Sequence, residues 1–241
     1  IQGTFGSGST IKPILALNGL DKNFVKATDT FFDPGWFQLP NDPHIFHDWK
    51  REGHGLVNLE RAITVSCSTY FYNLAHKMGI NEIYNTLTKS GLGSKTNIDL
   101  PGEKSGLVPD PKWKRKATGE IWYPGETISV GIGQSYLLVT PIQMAQMACL
   151  IANQGINYKP KILRTTPLEP AIHYPSKHWP TIISAMCKTV SDPSGTSYYA
   201  SHGLKYKIAG KTGTVQVFNL NGEKYEAKKL SRKLRDHAWF I

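Results

Sequence analysis

Apolar residues recur at helical spacing from Ser9 to Leu20, where Ile11, Ile14, Leu15, Leu17 and Leu20 fall three and four positions apart. Ser9 suits the cap of that helix, and Pro13 still lies in its first turn, where proline is tolerated. The pattern therefore predicts a serine at a helix N-terminus. From about Asp21 to Gly55 the periodicity gives way to proline, glycine, aromatics, aspartate and histidine, which marks an inserted, irregular loop lobe over residues 21–57. Helical spacing returns from Asn58 to Met78, interrupted by the small polar run Ser66-Cys67-Ser68. A second loop region is predicted from Gly91 to Gly125, and Thr140-Pro141 opens a helix through Ile151. Tyr206 to Phe218 reads as strands around Gly210-Lys211-Thr212-Gly213, and His237 to Ile241 as an unfinished strand. Helices first and strands late predict an α+β domain with an insert.

Composition narrows this picture only a little. The 241 residues allow one large domain, and 40% hydrophobic with 19% charged residues argues against disorder. No run of 18 apolar residues suggests a membrane span, so the chain reads as soluble. A net charge of +10 fits an anionic partner. Its clusters at 112–116, 228–229 and 232–233 come without zinc-finger spacing or an aromatic RNA-binding signature, so they read as a solvated basic face and nucleic acid is not expected. Three cysteines, Cys67, Cys149 and Cys187, are an odd count that makes no disulfide framework. Gly6-Ser7-Gly8 reads as a flexible joint or a glycine-rich turn. The chain opens inside a reactive motif and stops in a strand, so a domain truncated at both ends is expected over 1–241.

Ser9-Thr10-Ile11-Lys12 places a serine and a lysine three apart, on one face of a helix. A desolvated, neutral lysine there can take the serine proton, while helix N–H groups stabilise an oxyanion. Alone, the same spacing also describes an ordinary helix cap beside an exposed lysine. Lys211-Thr212-Gly213-Thr214 offers a cation and hydroxyls for a substrate carboxylate, with Gly213 allowing close approach of a ligand backbone; alone, it also describes a charged edge strand. Taken in order with Ser66-Cys67-Ser68 between them, the three segments form the motif set of penicillin-binding proteins and serine β-lactamases.

Longer segments sharpen that likeness. Gly8-Ser9-Thr10-Ile11-Lys12-Pro13, Phe32-Asp33-Pro34-Gly35-Trp36, His47-Asp48-Trp49-Lys50, Gly53-His54-Gly55, Val130-Gly131-Ile132-Gly133-Gln134, Thr140-Pro141-Ile142-Gln143 and Lys211-Thr212-Gly213-Thr214 resemble the transpeptidase domain of the penicillin-binding protein 2 family, the class B enzymes of rod-shape elongation in Gram-negative bacteria. The resemblance implies an antiparallel sheet packed by helices beside an all-helical side, with the serine at the junction. It implies a peptidoglycan D,D-transpeptidase at the periplasmic face of the bacterial inner membrane, acylated by stem peptides and by β-lactams, and working with a membrane glycosyltransferase of the elongation machinery. In that scheme Ser9 is the nucleophile and Lys12 the general base. Ser66 relays the proton, while Ser68, Lys211, Thr212, Gly213 and Thr214 bind substrate. The backbone N–H groups of Ser9 and Thr214 form the oxyanion hole. The family usually carries Asn or Asp where this chain has Ser68, and a shorter hydroxyl is expected to lack the same reach toward Lys12.

The resemblance also implies one structural zinc held by Asp33, Asp48, His54 and Cys67, a donor set suited to a closed tetrahedral site. Asp42 and His47 are rival ligands. No organic cofactor is expected, since Gly131 and Gly133 lack the rest of a dinucleotide fingerprint. Two other readings stay open: a serine β-lactamase or D,D-carboxypeptidase that passes the acyl group to water, and a sensor or scaffold module without turnover. Trp36, Trp49, Trp122 and Trp239 are expected to pack the core or line a groove.

Overall fold

The computed structural model describes residues 1–164, 167–216, 231 and 235–241. Its centre is α1 (Lys12–Asp21), in which every residue from Lys12 to Leu20 is buried. A helix apolar on all sides has no solvent face to present, so it becomes the axis about which the others pack. α2 (Leu59–Thr64), α3 (Ser68–Lys89) and α7 (Trp179–Ser191) lie against it, and one continuous core joins Ile14, Leu17, Ala62, Leu74, Met147 and Ile182.

The polar break at 66–68 is where α2 stops and α3 begins. Ser66 adopts a left-handed conformation (φ 56°), which turns the chain, and Cys67 is the cap residue of α3. The helical pattern read to Met78 ends there because Gly79 leaves helical geometry (φ 70°, ψ 163°), yet a second helical stretch carries on to Lys89.

The loop lobe is more regular than its composition predicts. β1 (Phe31–Asp33) pairs antiparallel with β4 (Gly55–Val57), and β2 (Trp36–Gln38) with β3 (Ile45–His47). Three-residue strands carry too little alternation to be read from sequence. The region read as loop from Gly91 to Gly125 likewise contains α4 (Pro111–Thr118) and the start of α5 (Pro124–Val130). α4 is a short polar helix with no apolar stripe. It is held by its Asp110 cap, by Gly119 in the left-handed conformation at its end, and by buried Lys114, which pairs with Glu126 at 2.6 Å. Part of the basic run 112–116 is therefore an internal ion pair and not a solvated loop; the runs at 228–229 and 232–233 lie outside the described residues.

α6 (Pro141–Ala152) starts at the predicted place, with Thr140 and Gln143 forming a reciprocal capping box. β5 (Ile156–Tyr158) and β6 (Pro170–His173) make a hairpin after it. β7 (Thr212–Val215) pairs antiparallel with β8 (His237–Phe240), so the terminal apolar run is a strand. The α+β class holds, with the sheet represented among the described residues by four two-stranded antiparallel pairs. Phe218, the far end of the predicted strand region, lies outside those residues.

Candidate active site

Ser9 does not cap α1. It sits inside a 3-10 turn, Gly8–Ile11, that precedes the helix, with Ser7 in the cap position. The turn is clamped by backbone. Gly8 has φ +54° and donates its N–H to Gly133 O at 2.9 Å. A Cβ on Gly8 would come within 2.6 Å of Thr214 O, and one on Gly133 within 2.0 Å of Gly8 O. Gly6-Ser7-Gly8 is thus a packed turn and not a flexible joint; Ser7 is wholly buried. Gly213 is glycine for a related reason. Its missing Cβ would meet Thr10 Cγ2 at 2.8 Å and Ser7 O at 2.9 Å, so the space serves the serine turn and not a ligand backbone.

Half-buried Ser9 opens onto a groove of about 820 Å³ lined by Ser66, Ser68, Thr212 and Thr214 on one side and by His47, Trp49 and Arg51 of the loop lobe on the other. Below it lie two lysines with no exposure. Lys12 donates to Ser66 O at 2.9 Å and to Ser68 Oγ at 3.3 Å. Burial brings its pKa down to about 8, partly opposed by the acidic groups of Cys67 and Asp48. Ser68 therefore does reach Lys12, against the expectation drawn from its short side chain: the turn at Ser66 brings the start of α3 close enough for a hydroxyl. Lys211 donates to Ser66 Oγ at 2.7 Å and to Thr212 O at 3.0 Å. Burial, and then the charge of Lys12, hold its pKa well below the ordinary lysine value. Ser66 is the bridge, its carbonyl on one lysine and its hydroxyl on the other.

The register of β7 and β8 decides which backbone groups face the groove. Lys211 and Ile241 exchange both hydrogen bonds (2.9 and 3.1 Å), so by antiparallel alternation Thr212 and Thr214 direct their N–H and C=O away from β8. Thr214 O accordingly accepts from Gln134 Nε2 at 3.0 Å, while Thr214 N lies near Gly8. Lys211 and Gly213 lie beneath the groove wall; Thr212 and Thr214 form it.

Beside this centre, one donor atom from each of Asp33, Asp48, His54 and Cys67 lies within 4.8 Å of the others. His54 Nδ1 is 2.7 Å from Asp33 Oδ2 and 3.8 Å from Asp48 Oδ2, and Cys67 Sγ is 3.3 Å from Asp33 Oδ2. Burial opposes the charge of Asp33, but hydrogen bonds from the Gly35 N–H, His54, Thr69 and Cys67 more than offset it and lower its pKa; burial pushes the Cys67 thiol far up. Asp48 also accepts the N–H groups of Ser68 and Thr69 (2.6 and 3.0 Å), satisfying the open start of α3. Two buried carboxylates, a thiol and an imidazole converging on one point form a donor set that fits a divalent cation. Asp42 and His47 are not in the cluster: Asp42 accepts the His44 N–H in an exposed turn, and His47 lines the groove.

Of the tryptophans, Trp239 packs against the core and donates to Gly6 O (2.9 Å). Trp122 also packs there, Trp49 lines the groove, and Trp36 stands half exposed on the lobe. Sequence reasoning missed Thr196, whose hydroxyl is 2.7 Å from that of Thr212, and the role of Gln134 as a clasp on β7. Thr196 is a lone polar residue and Gln134 closes one of the quoted segments, and the partner of each lies far along the chain.

A family model described as the penicillin binding protein transpeptidase domain matches residues 1–241. The peptidoglycan D,D-transpeptidase MrdA of Acinetobacter baumannii is 39% identical over 257 residues, covering 100% of this chain and 37% of that protein; MrdA of Escherichia coli K12 is also 39% identical, over 98% and 39%. The chain therefore spans under two fifths of these relatives. The crystal structure of Pseudomonas aeruginosa PBP2 in complex with WCK 5153 matches with a TM-score of 0.88 at 40% identity, over 100% of this chain and 53% of that one. A complex between PBP2 and MreC from Helicobacter pylori matches at 0.87 and 32% identity, over 99% and 43%. With its serine turn, its two buried lysines and a family match from end to end, the chain belongs to the penicillin-binding protein transpeptidase domain family.

Proposed function

We propose that this chain is the catalytic domain of a peptidoglycan D,D-transpeptidase of cell-wall elongation, acting through an acyl-serine intermediate and inhibited by β-lactams. The observation that carries the reading is Ser66 spanning Lys12 and Lys211 beneath the groove onto which Ser9 opens. A lysine lowered to about 8 is neutral often enough near neutral pH to accept a proton.

In the reaction, Ser9 Oγ bonds to the carbonyl carbon of the penultimate D-Ala of a stem peptide while its proton passes to Lys12. The negative oxygen is held by the N–H groups of Ser9 and Thr214, the latter turned away from β8 by the register. The C–N bond to the terminal D-Ala breaks as Ser66 hands its proton to the leaving amine and takes back the proton that Lys12 accepted from Ser9, which leaves Lys12 neutral again. An amine of a neighbouring stem then forms the new C–N bond, the C–Oγ bond breaks, and the proton shed by that amine returns to Ser9. The terminal carboxylate of the donor is held by the hydroxyls of Thr212 and Thr214, with Lys211 supplying positive potential from beneath.

Zinc is the metal best suited to Asp33, Asp48, His54 and Cys67, and there it would be structural, tying the 21–57 lobe to the start of α3. The domain is proposed to span 1–241 as one unit with that lobe as an insert. The PBP2–MreC complex supports a protein partner for this chain, and a similar peptidoglycan synthase complex that coordinates polymerization and crosslinking supports a glycosyltransferase partner; the proposed place is the periplasmic face of the inner membrane.

Intact-mass spectrometry with benzylpenicillin tests the reading. A single adduct on Ser9, absent from Ser9→Ala, is expected; an adduct that persists in Ser9→Ala refutes Ser9 as nucleophile.

A further inference from the structure

Thr196 belongs to the groove although no motif contains it. It lies between α7 and a 3-10 turn at Tyr198–Ser201, in a loop fixed on two sides. Its own N–H donates to Thr64 O at the end of α2 (3.3 Å), and the next N–H, of Ser197, donates to Thr189 O in α7 (3.1 Å). The loop thus has a defined place relative to both helices, and it puts the Thr196 hydroxyl 2.7 Å from that of Thr212, on the groove surface with Ser66 and Thr214. Beneath them, Lys211 Nζ is bonded to Ser66 Oγ and Thr212 O.

A hydroxyl carries one proton and two lone pairs. If Thr212 spends its proton on Thr196, it turns only a lone pair toward the groove and repels an anion. If Thr196 donates, the Thr212 proton is free to point into the groove. A carboxylate, which only accepts, selects the second arrangement, and the Thr196 hydroxyl makes it available without leaving a Thr212 lone pair unsatisfied.

We infer that Thr196 is a positioning residue for carboxylate recognition: its hydroxyl donates to Thr212 and so aims the Thr212 proton at the C-terminal carboxylate of the substrate or of a β-lactam. The inference rests on the acyl-serine reading above and adds a residue to it. Its consequence is selective. Ligands with the carboxylate gain from Thr196, and otherwise identical ligands without it do not.

The test compares acylation rate constants of the purified full chain with benzylpenicillin and with its methyl ester, in wild type, Thr196→Val and Thr196→Ser. Valine keeps the shape and removes the donor. The acid-to-ester rate ratio is expected to fall about fivefold in Thr196→Val, as for loss of one hydrogen bond supporting an ionic one, and to return in Thr196→Ser. An unchanged ratio in Thr196→Val, including equal slowing with both probes, overturns the inference and leaves Ser9 chemistry standing. Failure of the wild type to form a Ser9 adduct with either probe overturns the functional reading, and the inference with it.

Discussion

Lys12 shows how burial changes the proton affinity of a single side chain. Fully buried, with two neutral oxygens as its hydrogen-bond partners, it holds its proton less firmly than a lysine in water. The rate constant for acylation by a penicillin is expected to climb with pH and level off above about 8, and Lys12→Ala is expected to lose at least about a hundredfold; a profile flat from pH 6 to 9 would remove Lys12 from the role of base. The same shift links to folding. Between about 8 and the unfolded value of 10.5 the unfolded chain binds more protons than the folded one, so this lysine's contribution to stability rises with pH across that window and is lost as pH falls through 8. The residues that meet at the groove, Ser9, Lys12, Ser66, Ser68 and Lys211 to Thr214, were legible as candidates because each sits in a short contiguous motif. Thr196 was not, since nothing local marks a polar loop residue whose partner lies far along the chain, and Gln134, though inside a quoted segment, gave no sign of its hold on Thr214.

At the level of elements, legibility followed the source of each element's stability. α6 was readable because its signals are local: Thr140 caps, Pro141 leads, and the apolar residues follow. α7 carried comparable signals in Trp179, Pro180, Ile182, Met186 and Val190 and was passed over. α4 lacks the apolar stripe that periodicity detects, and a distant glutamate secures it. The strands of the lobe are three residues long and lean on distant partners such as Tyr72 and Ile128, so their composition suggested irregularity where the fold has order. If the proposed zinc occupies the donor cluster, its chelation should loosen a defined region. Amide exchange is expected to quicken across β1–β4 and in the first turn of α3, where Asp48 holds the Ser68 and Thr69 N–H groups, while α6 stays protected. Unchanged exchange in the lobe after complete metal removal would show that hydrogen bonds alone sustain it.

Across the whole molecule, the serine turn is where segments around residues 8, 133 and 214 cross, each far from the others in sequence. Gly133→Ala tests the crossing. Its Cβ would overlap Gly8 O, and its φ of +79° already disfavours a side chain, so a stability loss of about 2 kcal/mol or more is expected together with an acylation rate reduced about a hundredfold. Wild-type acylation in a folded Gly133→Ala protein would show that the clamp does not position Ser9.

The clamp has a further consequence. Since the crossing has no room for a Cβ at Gly8 or Gly133, substitution at either position is penalised. The opposite bank of the groove, bearing His47, Trp49 and Arg51, belongs to the lobe, which packs Phe37, Leu39 and Phe46 against Tyr72 and Ile128 and supplies Asp33, Asp48 and His54 to the donor cluster. The bank bearing His47, Trp49 and Arg51 and the bank bearing Ser9, Thr212 and Thr214 are thus built by different parts of the chain. A lineage under pressure from an inhibitor can revise the first while inheriting the second intact.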